Sequence, residues 1–349
     1  MERSNVEKQT QFDTATQRHV QRQVCCITGM HRSGTSMVAN LLHECGVVLG
    51  TEDELKLSSR HNLGGHFENS QFVRLNDDLL RKLGGAWYDP PQFDTGWEIN
   101  GKASGLVTRA RDLVAKFQRQ SWGWKDPRSS LTLPFWFRVL PDLKVLVCVR
   151  NPAEVARSLF LRGDSRNASP VQLRTVYCRQ LLSATRPEQR LVTHYESYFE
   201  DPAAELRRVL DWLGIAASDE TVNHACMQVA VAKRHHEIPL PDLLTADVPD
   251  EALGVYFSLC AEAGPVYERT RQIKRTRRCA EPSEALAAEV SRLRDELSHL
   301  RAFNHEILDS RSFRFVSLWW RMRRPHSDRE FGKKRRRGQL RSPASLSGA

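Results

Sequence analysis

Apolar residues are arranged along the chain in patterns that predict distinct elements. Val24-Cys25-Cys26-Ile27 and Val145-Leu146-Val147-Cys148-Val149, the second preceded by Lys144, are short and unbroken, as strands buried on both faces of a parallel sheet are. Met37, Val38, Leu41, Leu42 and Cys45 recur at helical spacing. So do Phe72, Leu75, Leu79, Leu80 and Leu83, whose helix stops at Gly84-Gly85, and so does the stretch 106–117. Val155, Ala156, Leu159 and Phe160 predict a helix after the second strand, with Asn151 as N-cap and Pro152 in its first position. A third strand, Leu191-Val192-Thr193-His194, runs into Tyr195-Glu196 and then into a helix carrying Leu206, Val209, Leu210 and Leu213. Strands alternating with helices predict an α/β fold, a parallel sheet with helices on both faces.

The polar residues sharpen this at the first turn. Between the strand at Val24 and the helix at Met37 the chain reads Gly29-Met30-His31-Arg32-Ser33-Gly34-Thr35-Ser36. A glycine-bounded loop opening a helix gathers backbone N–H groups and the positive end of a helix dipole where an anion sits, and Ser33, Thr35 and Ser36 add hydroxyl donors. The glycine spacing is that of the nucleotide P-loop, but Thr35 stands where that loop has its lysine. A hydrolase of ATP or GTP would lack the cation that reaches the outer phosphates. The loop's cation is instead Arg32.

Two further strand ends carry charge. Trp122-Gly123-Trp124-Lys125-Asp126-Pro127-Arg128 is an apolar stretch that gives out in ions, with Pro127 holding Asp126 extended. Arg150 ends the strand begun at Lys144, and Ser158 lies two turns into the next helix. In an open α/β sheet this edge is the ligand-binding one. A bidentate guanidinium with a hydroxyl beside it suits a phosphate dianion.

Together these stretches resemble the sulfotransferases that use 3′-phosphoadenosine 5′-phosphosulfate, in the manner of bacterial enzymes acting on glycans or small metabolites. A cation before Ser-Gly-Thr-Ser, the Arg150 and Ser158 pair eight residues apart, and the strand ending in Tyr195-Glu196 agree in order over roughly 24–264. The resemblance implies a P-loop NTPase-like sulfotransferase fold. It also implies that Arg32, Ser33, Gly34, Thr35 and Ser36 hold the 5′-phosphosulfate, that Arg150 and Ser158 hold the 3′-phosphate, and that Tyr195 lies near the adenine. The implied reaction is sulfuryl transfer to a hydroxyl or amine acceptor, a glycan, glycolipid or small molecule, with Lys125 and Arg32 stabilising charge and no metal. This sequence lacks the Lys-Thr-His stretch of small-phenol enzymes and the late Arg-Lys-Gly, for which Lys233-Arg234-His235-His236 is the substitute at hand.

His66, Glu68 and Asp126 are the candidates for the general base. His66 has the better intrinsic pKa. Asp126 sits between Lys125 and Arg128 and reads as structural. Glu68, after Gly64-Gly65-His66-Phe67 at the mouth of a helix, resembles the catalytic carboxylate of glycan-type members and takes the assignment. A P-loop kinase and a non-catalytic donor-binding module are the alternatives.

Composition bounds the rest. The 349 residues are 40% hydrophobic, enough for one large domain and an appendage. Residues 1–23 are polar and lack the apolar core of a signal peptide, and no run of about eighteen apolar residues occurs. Eight scattered cysteines without a C-x-x-C pair suit buried, reduced thiols, and the expected location is the cytoplasm. Of the net charge of +10, the stretch from Arg321 onward carries +8, so the catalytic region is no nucleic-acid-binding domain. The domain is set at 24–264, followed by a basic linker at 265–283. A short coiled coil at 284–308 has Leu286, Leu293, Leu300 and Ile307 at every seventh position and Asn304 on the complementary seam, which predicts a homodimer through 286–307. The aromatic and basic tail at 309–349 suits an anionic membrane surface, with a disordered end.

Overall fold

A computed structural model describes residues 23–56, 65–117, 121–161, 169–229, 238, 242–243, 248–279 and 292. The chain divides into two compact units, Met1–Lys274 and Arg275–Ala349. The expected disordered start, the 286–307 dimer seam apart from Arg292, the basic tail and Lys233-Arg234-His235-His236 lie outside the described residues.

The first unit is built on a parallel sheet of four strands, β1 (Val24–Thr28), β4 (Trp122–Lys125), β5 (Lys144–Val149) and β6 (Arg190–His194), in the order β4-β1-β5-β6. Two short strands, β2 (Leu55–Lys56) and β3 (Glu68–Asn69), pair antiparallel beside it. From β1 the chain goes outward to β4, and from β5 it goes the opposite way to β6. The switch point, where a crevice opens at the strands' carboxyl ends, therefore lies between β1 and β5.

Alternate residues of the central strands enter different cores, which is why their sequence is unbroken in apolarity. Cys26, Val145 and Val147 join Phe72, Leu75, Leu79, Trp124 and Trp136 on one face. Cys25, Ile27, Leu146 and Cys148 join Val38, Leu41, Leu42, Leu206, Val209 and Leu210 on the other. Helices α1 (Thr35–Glu44) and, later, Pro202–Leu213 cover the second face, while α2 (Ser70–Lys82), α3 (Gly101–Ala115) and α4 (Ser129–Val139) lie over the first. Phe72, Leu75, Leu79 and Leu80 of α2 are all fully buried, contributing about 1.5–3 kcal/mol each. Asn69 caps α2 by accepting from Gln71 N, and Asn151 caps α5 (Pro152–Leu161) by accepting from Ala153 N at 2.9 Å. The helix predicted for 106–117 begins five residues earlier, at Gly101.

Two differences from the sequence reading have clear causes. Helix α4 has no amphipathic pattern because Ser129 to Leu133, Phe135 and Trp136 are buried, and Pro134 inside it disguises it further. The compact fold also runs past Gly264 into the stretch read as linker. The helix Pro265–Cys279 buries Val266, Tyr267 and Thr270, with the Tyr267 ring stacked on His194 at 3.9 Å. Its buried face is narrow and flanked by the arginines that suggested a linker.

Candidate active site

The loop after β1 fits its neighbours closely. A Cβ at Gly29 would stand 2.3 Å from the Cys148 carbonyl oxygen on β5, so only glycine allows the chain to leave the strand there. The Ser130 hydroxyl accepts from Gly29 N at 3.1 Å and shares a 2.9 Å hydrogen bond with the Thr28 hydroxyl, tying the loop's base to α4. Arg32 then adopts φ 70° and Gly34 φ 91°. A left-handed arginine is uncommon and is retained where surrounding structure over-determines it. Gly34 is the N-cap of α1 and gives that helix no side-chain cap, which leaves the anion-binding role to the backbone amides. A Cβ at Gly34 would meet the Tyr195 ring at 2.5 Å.

Arg32 Nε donates to Ser158 Oγ at 2.8 Å, so the serine read as the partner of Arg150 bonds the loop arginine in this structure. Arg150 Nε donates to Glu154 Oε2 at 2.7 Å, its Nη1 donates to the Arg32 carbonyl at 3.3 Å, and its guanidinium lies 4.2 Å from the centre of the Tyr195 ring. Tyr195 is pinned by its own N–H, which donates to the Val149 carbonyl at 2.8 Å. Burial pushes the Glu154 carboxyl upward against the pull of Arg150. The structure thus brings Arg32, Ser33, Gly34, Thr35, Arg150, Ser158 and Tyr195 together around the switch point, with Ser36 in the first turn of α1.

Glu68 is not in a helix-entrance loop. It sits on β3, opposite Lys56 and just after Phe67, which has φ 52°. Glu68 Oε1 accepts from Lys125 Nζ at 2.8 Å, with the two side chains only 10% and 3% exposed. Burial alone would raise the Glu68 carboxyl. The Lys125 ammonium, helped by Arg128 and His31, overrides it and lowers the carboxyl to about 2. His66, two residues before, is half-buried.

Beneath the pair lies a buried polar network. Asp126 Oδ1 accepts from Arg128 N at 3.0 Å and Nη1 at 2.9 Å, while Oδ2 accepts from Asn76 Nδ2 at 2.8 Å. Asn76 Oδ1 accepts from Thr132 Oγ1 at 2.7 Å and Trp136 Nε1 at 2.9 Å. Asp126 is fully buried, and with Asp77, whose Oδ1 lies 2.8 Å from Arg128 Nε, it holds the Arg128 guanidinium. The sequence reading missed Asn76, Glu154, His31 and Trp87. An asparagine on an otherwise apolar helix face was the available signal for the first.

These features define an α/β protein with a phosphate-binding first turn whose cation is an arginine, faced by a second arginine and a buried carboxylate–ammonium pair. The chain belongs to the sulfotransferase family, whose model matches residues 25–219, more than half of its length. It is a sulfotransferase, which sets aside the kinase and binding-module readings. Among solved structures it is similar to the sulfotransferase domain of the olefin synthase from Synechococcus PCC 7002, at 18% identity over 68% of this chain and 94% of that one (TM-score 0.41). A sulfotransferase from Alicyclobacillus acidocaldarius is 16% identical over 69% and 94% (TM-score 0.38). Mouse sulfotransferase SULT7A1, whose structure is a complex with PAP, is 13% identical over 74% and 87% (TM-score 0.31). No curated protein matches the chain. Among the described residues no group of three or more His, Cys, Asp or Glu is placed to hold a metal ion, and no helix is long and apolar enough to cross a membrane.

Proposed function

We propose that the chain transfers a sulfuryl group from 3′-phosphoadenosine 5′-phosphosulfate to a hydroxyl or amine of a glycan or glycolipid. The observation that carries this is the convergence of Arg32, Arg150 and Tyr195 on one glycine loop: the Arg150 guanidinium donates to the backbone carbonyl of Arg32 and lies over the Tyr195 ring, and that ring stands 2.5 Å from where a Cβ on Gly34 would be. A nucleotide with phosphate groups at both ends of its ribose fits that donor set. When bound, the donor supplies an activated sulfuryl group with a phosphate as its leaving group.

The chain's own residues supply the rest. The loop amides and Arg32 hold one anion, with Ser158 keeping the Arg32 side chain in place. Arg150 is oriented by Glu154 for a second. Glu68 takes the acceptor's proton. Its strength as a base is set by Lys125, because that ammonium is what keeps the carboxyl low. An anion arriving at the loop competes for Lys125, and as Lys125 turns to it the largest pull against burial weakens and the Glu68 carboxyl rises. In this scheme base strength rises only when the loop is occupied.

Isothermal titration against adenosine 3′,5′-bisphosphate, ATP and ATP with magnesium tests the donor assignment. Tight binding of the bisphosphate and weak binding of both ATP forms is the expected result. Preference for ATP with magnesium would overturn it.

A further inference from the structure

Against the phosphate loop the structure holds an aromatic corner to which the donor reading gives no role. Ala86 N donates to the Asp89 carbonyl at 2.9 Å and Asp89 N donates back at 3.1 Å, closing a tight turn with Trp87 and Tyr88 at its tip. Gly85 leads into the turn with Pro91 N and the Asp89 carbonyl within 2.7 Å of any Cβ it might carry, so the turn is pinned at its base. It is pinned again at the tip, where the Tyr177 hydroxyl donates to the Trp87 carbonyl at 2.8 Å. The Trp87 ring is half-buried, 4.7 Å from the ring of His31 in the phosphate loop, and the Tyr88 ring stands perpendicular to it at 5.5 Å.

The corner borders the phosphate loop at the residue just before Arg32. The His31 ring that meets Trp87 also lies 5.9 Å from the ring of Tyr177, whose hydroxyl holds the turn, and His31 helps lower the Glu68 carboxyl. A rigid, half-buried indole set against the phosphate loop has the makeup of a small-molecule subsite, with apolar area for one face of the ligand and polar groups of the loop to orient it.

We infer that the Trp87–Tyr88 turn is the acceptor platform, and that Trp87 takes the C–H face of a saccharide ring so that a ring hydroxyl is presented to Glu68. The perpendicular rings form a corner that receives a puckered ring by its face and edge. The inference rests on placing the acceptor at the Glu68 end of the site, and it adds Trp87 as the residue that selects the acceptor.

The test is saturation-transfer NMR on the full chain with maltose, cellobiose, N,N′-diacetylchitobiose and the planar phenol 4-methylumbelliferone, each with and without adenosine 3′,5′-bisphosphate. Wild type, Trp87→Phe and Trp87→Ala are compared, and calorimetric binding of the bisphosphate serves as the folding control. At least one saccharide is expected to receive saturation on its ring protons in wild type, to weaken at least about tenfold in Trp87→Ala and to stay within a few-fold in Trp87→Phe. Bisphosphate affinity should be equal in all three. No saccharide contact in wild type, equal contact in Trp87→Ala, or dependence on Trp87 for the phenol alone would each overturn the inference. Failure of wild type to bind the bisphosphate would instead sink the donor reading, since the arms without nucleotide still report on the corner.

Discussion

Replacing Lys125 by methionine isolates the interaction that sets the state of Glu68. In the wild type the Glu68 carboxyl is lowered from 4.5 to about 2, so its contribution is fully present above the unfolded value and is lost as pH falls toward the folded one. That displacement corresponds to about 3 kcal/mol of stability at neutral pH. Without the ammonium, 2.8 Å away in the wild type, the carboxylate remains buried, and burial, opposed only by Arg128 and His31, raises its pKa from the wild-type value. The variant should therefore be about 3–5 kcal/mol less stable at pH 7, the cost of leaving one partner of a buried pair uncompensated. Below about pH 4.5 the deficit should shrink, because the wild type there loses the stability that its lowered carboxyl contributes. Urea denaturation from pH 7.5 to 3 measures this, on wild type, Lys125→Met, Glu68→Gln and the double variant. On the Glu68→Gln background the lysine substitution should show no dependence on pH in this range. A deficit that is flat with pH, or a coupling energy under about 1 kcal/mol, would refute both the pairing and the account of how Glu68 gains basicity.

Four further outcomes are expected. Arg32→Ala should cost on the order of 2–5 kcal/mol of adenosine 3′,5′-bisphosphate affinity by calorimetry, and Ser158→Ala about 1 kcal/mol. Because Ser158 bonds Arg32 Nε, the two losses should not add. Glu68→Gln should lower turnover by roughly 10²–10⁴ while bisphosphate affinity stays within a few-fold; unchanged turnover would move the base to His66. Asn76→Ala should lower stability by about 2–4 kcal/mol in thermal or urea unfolding, because it strands Asp126 Oδ2, Thr132 and Trp136 at once. Activity should survive EDTA; recovery only on adding magnesium would count against charge stabilisation by Arg32 and Lys125 alone.

What the sequence made legible is what a strand, a turn or a helix start requires locally. β1 and β5 read as buried strands because both of their faces are covered, Gly29 and Gly34 because one faces a backbone and the other a ring, and Asn151-Pro152 because a helix start needs a cap and a residue without a donor. The pairings are different in kind. Glu68 meets Lys125 across 57 positions and Arg32 meets Ser158 across 126, and neither separation has a period or spacing to detect. They follow from the sheet order, which sets β4 and β5 on either side of β1 and so brings three strand ends to one place. This is why the local reading gave Ser158 to the nearer arginine, and why it weighed Glu68 by sequence neighbours that do not set its protonation. A residue's type is chosen for chemistry and can be read in place, whereas its charge state belongs to the partners the fold delivers. For Glu68 those partners are Lys125 and Arg128 at the end of β4 and His31 in the loop after β1, so no stretch of sequence around Glu68 could have shown that its carboxyl is held low.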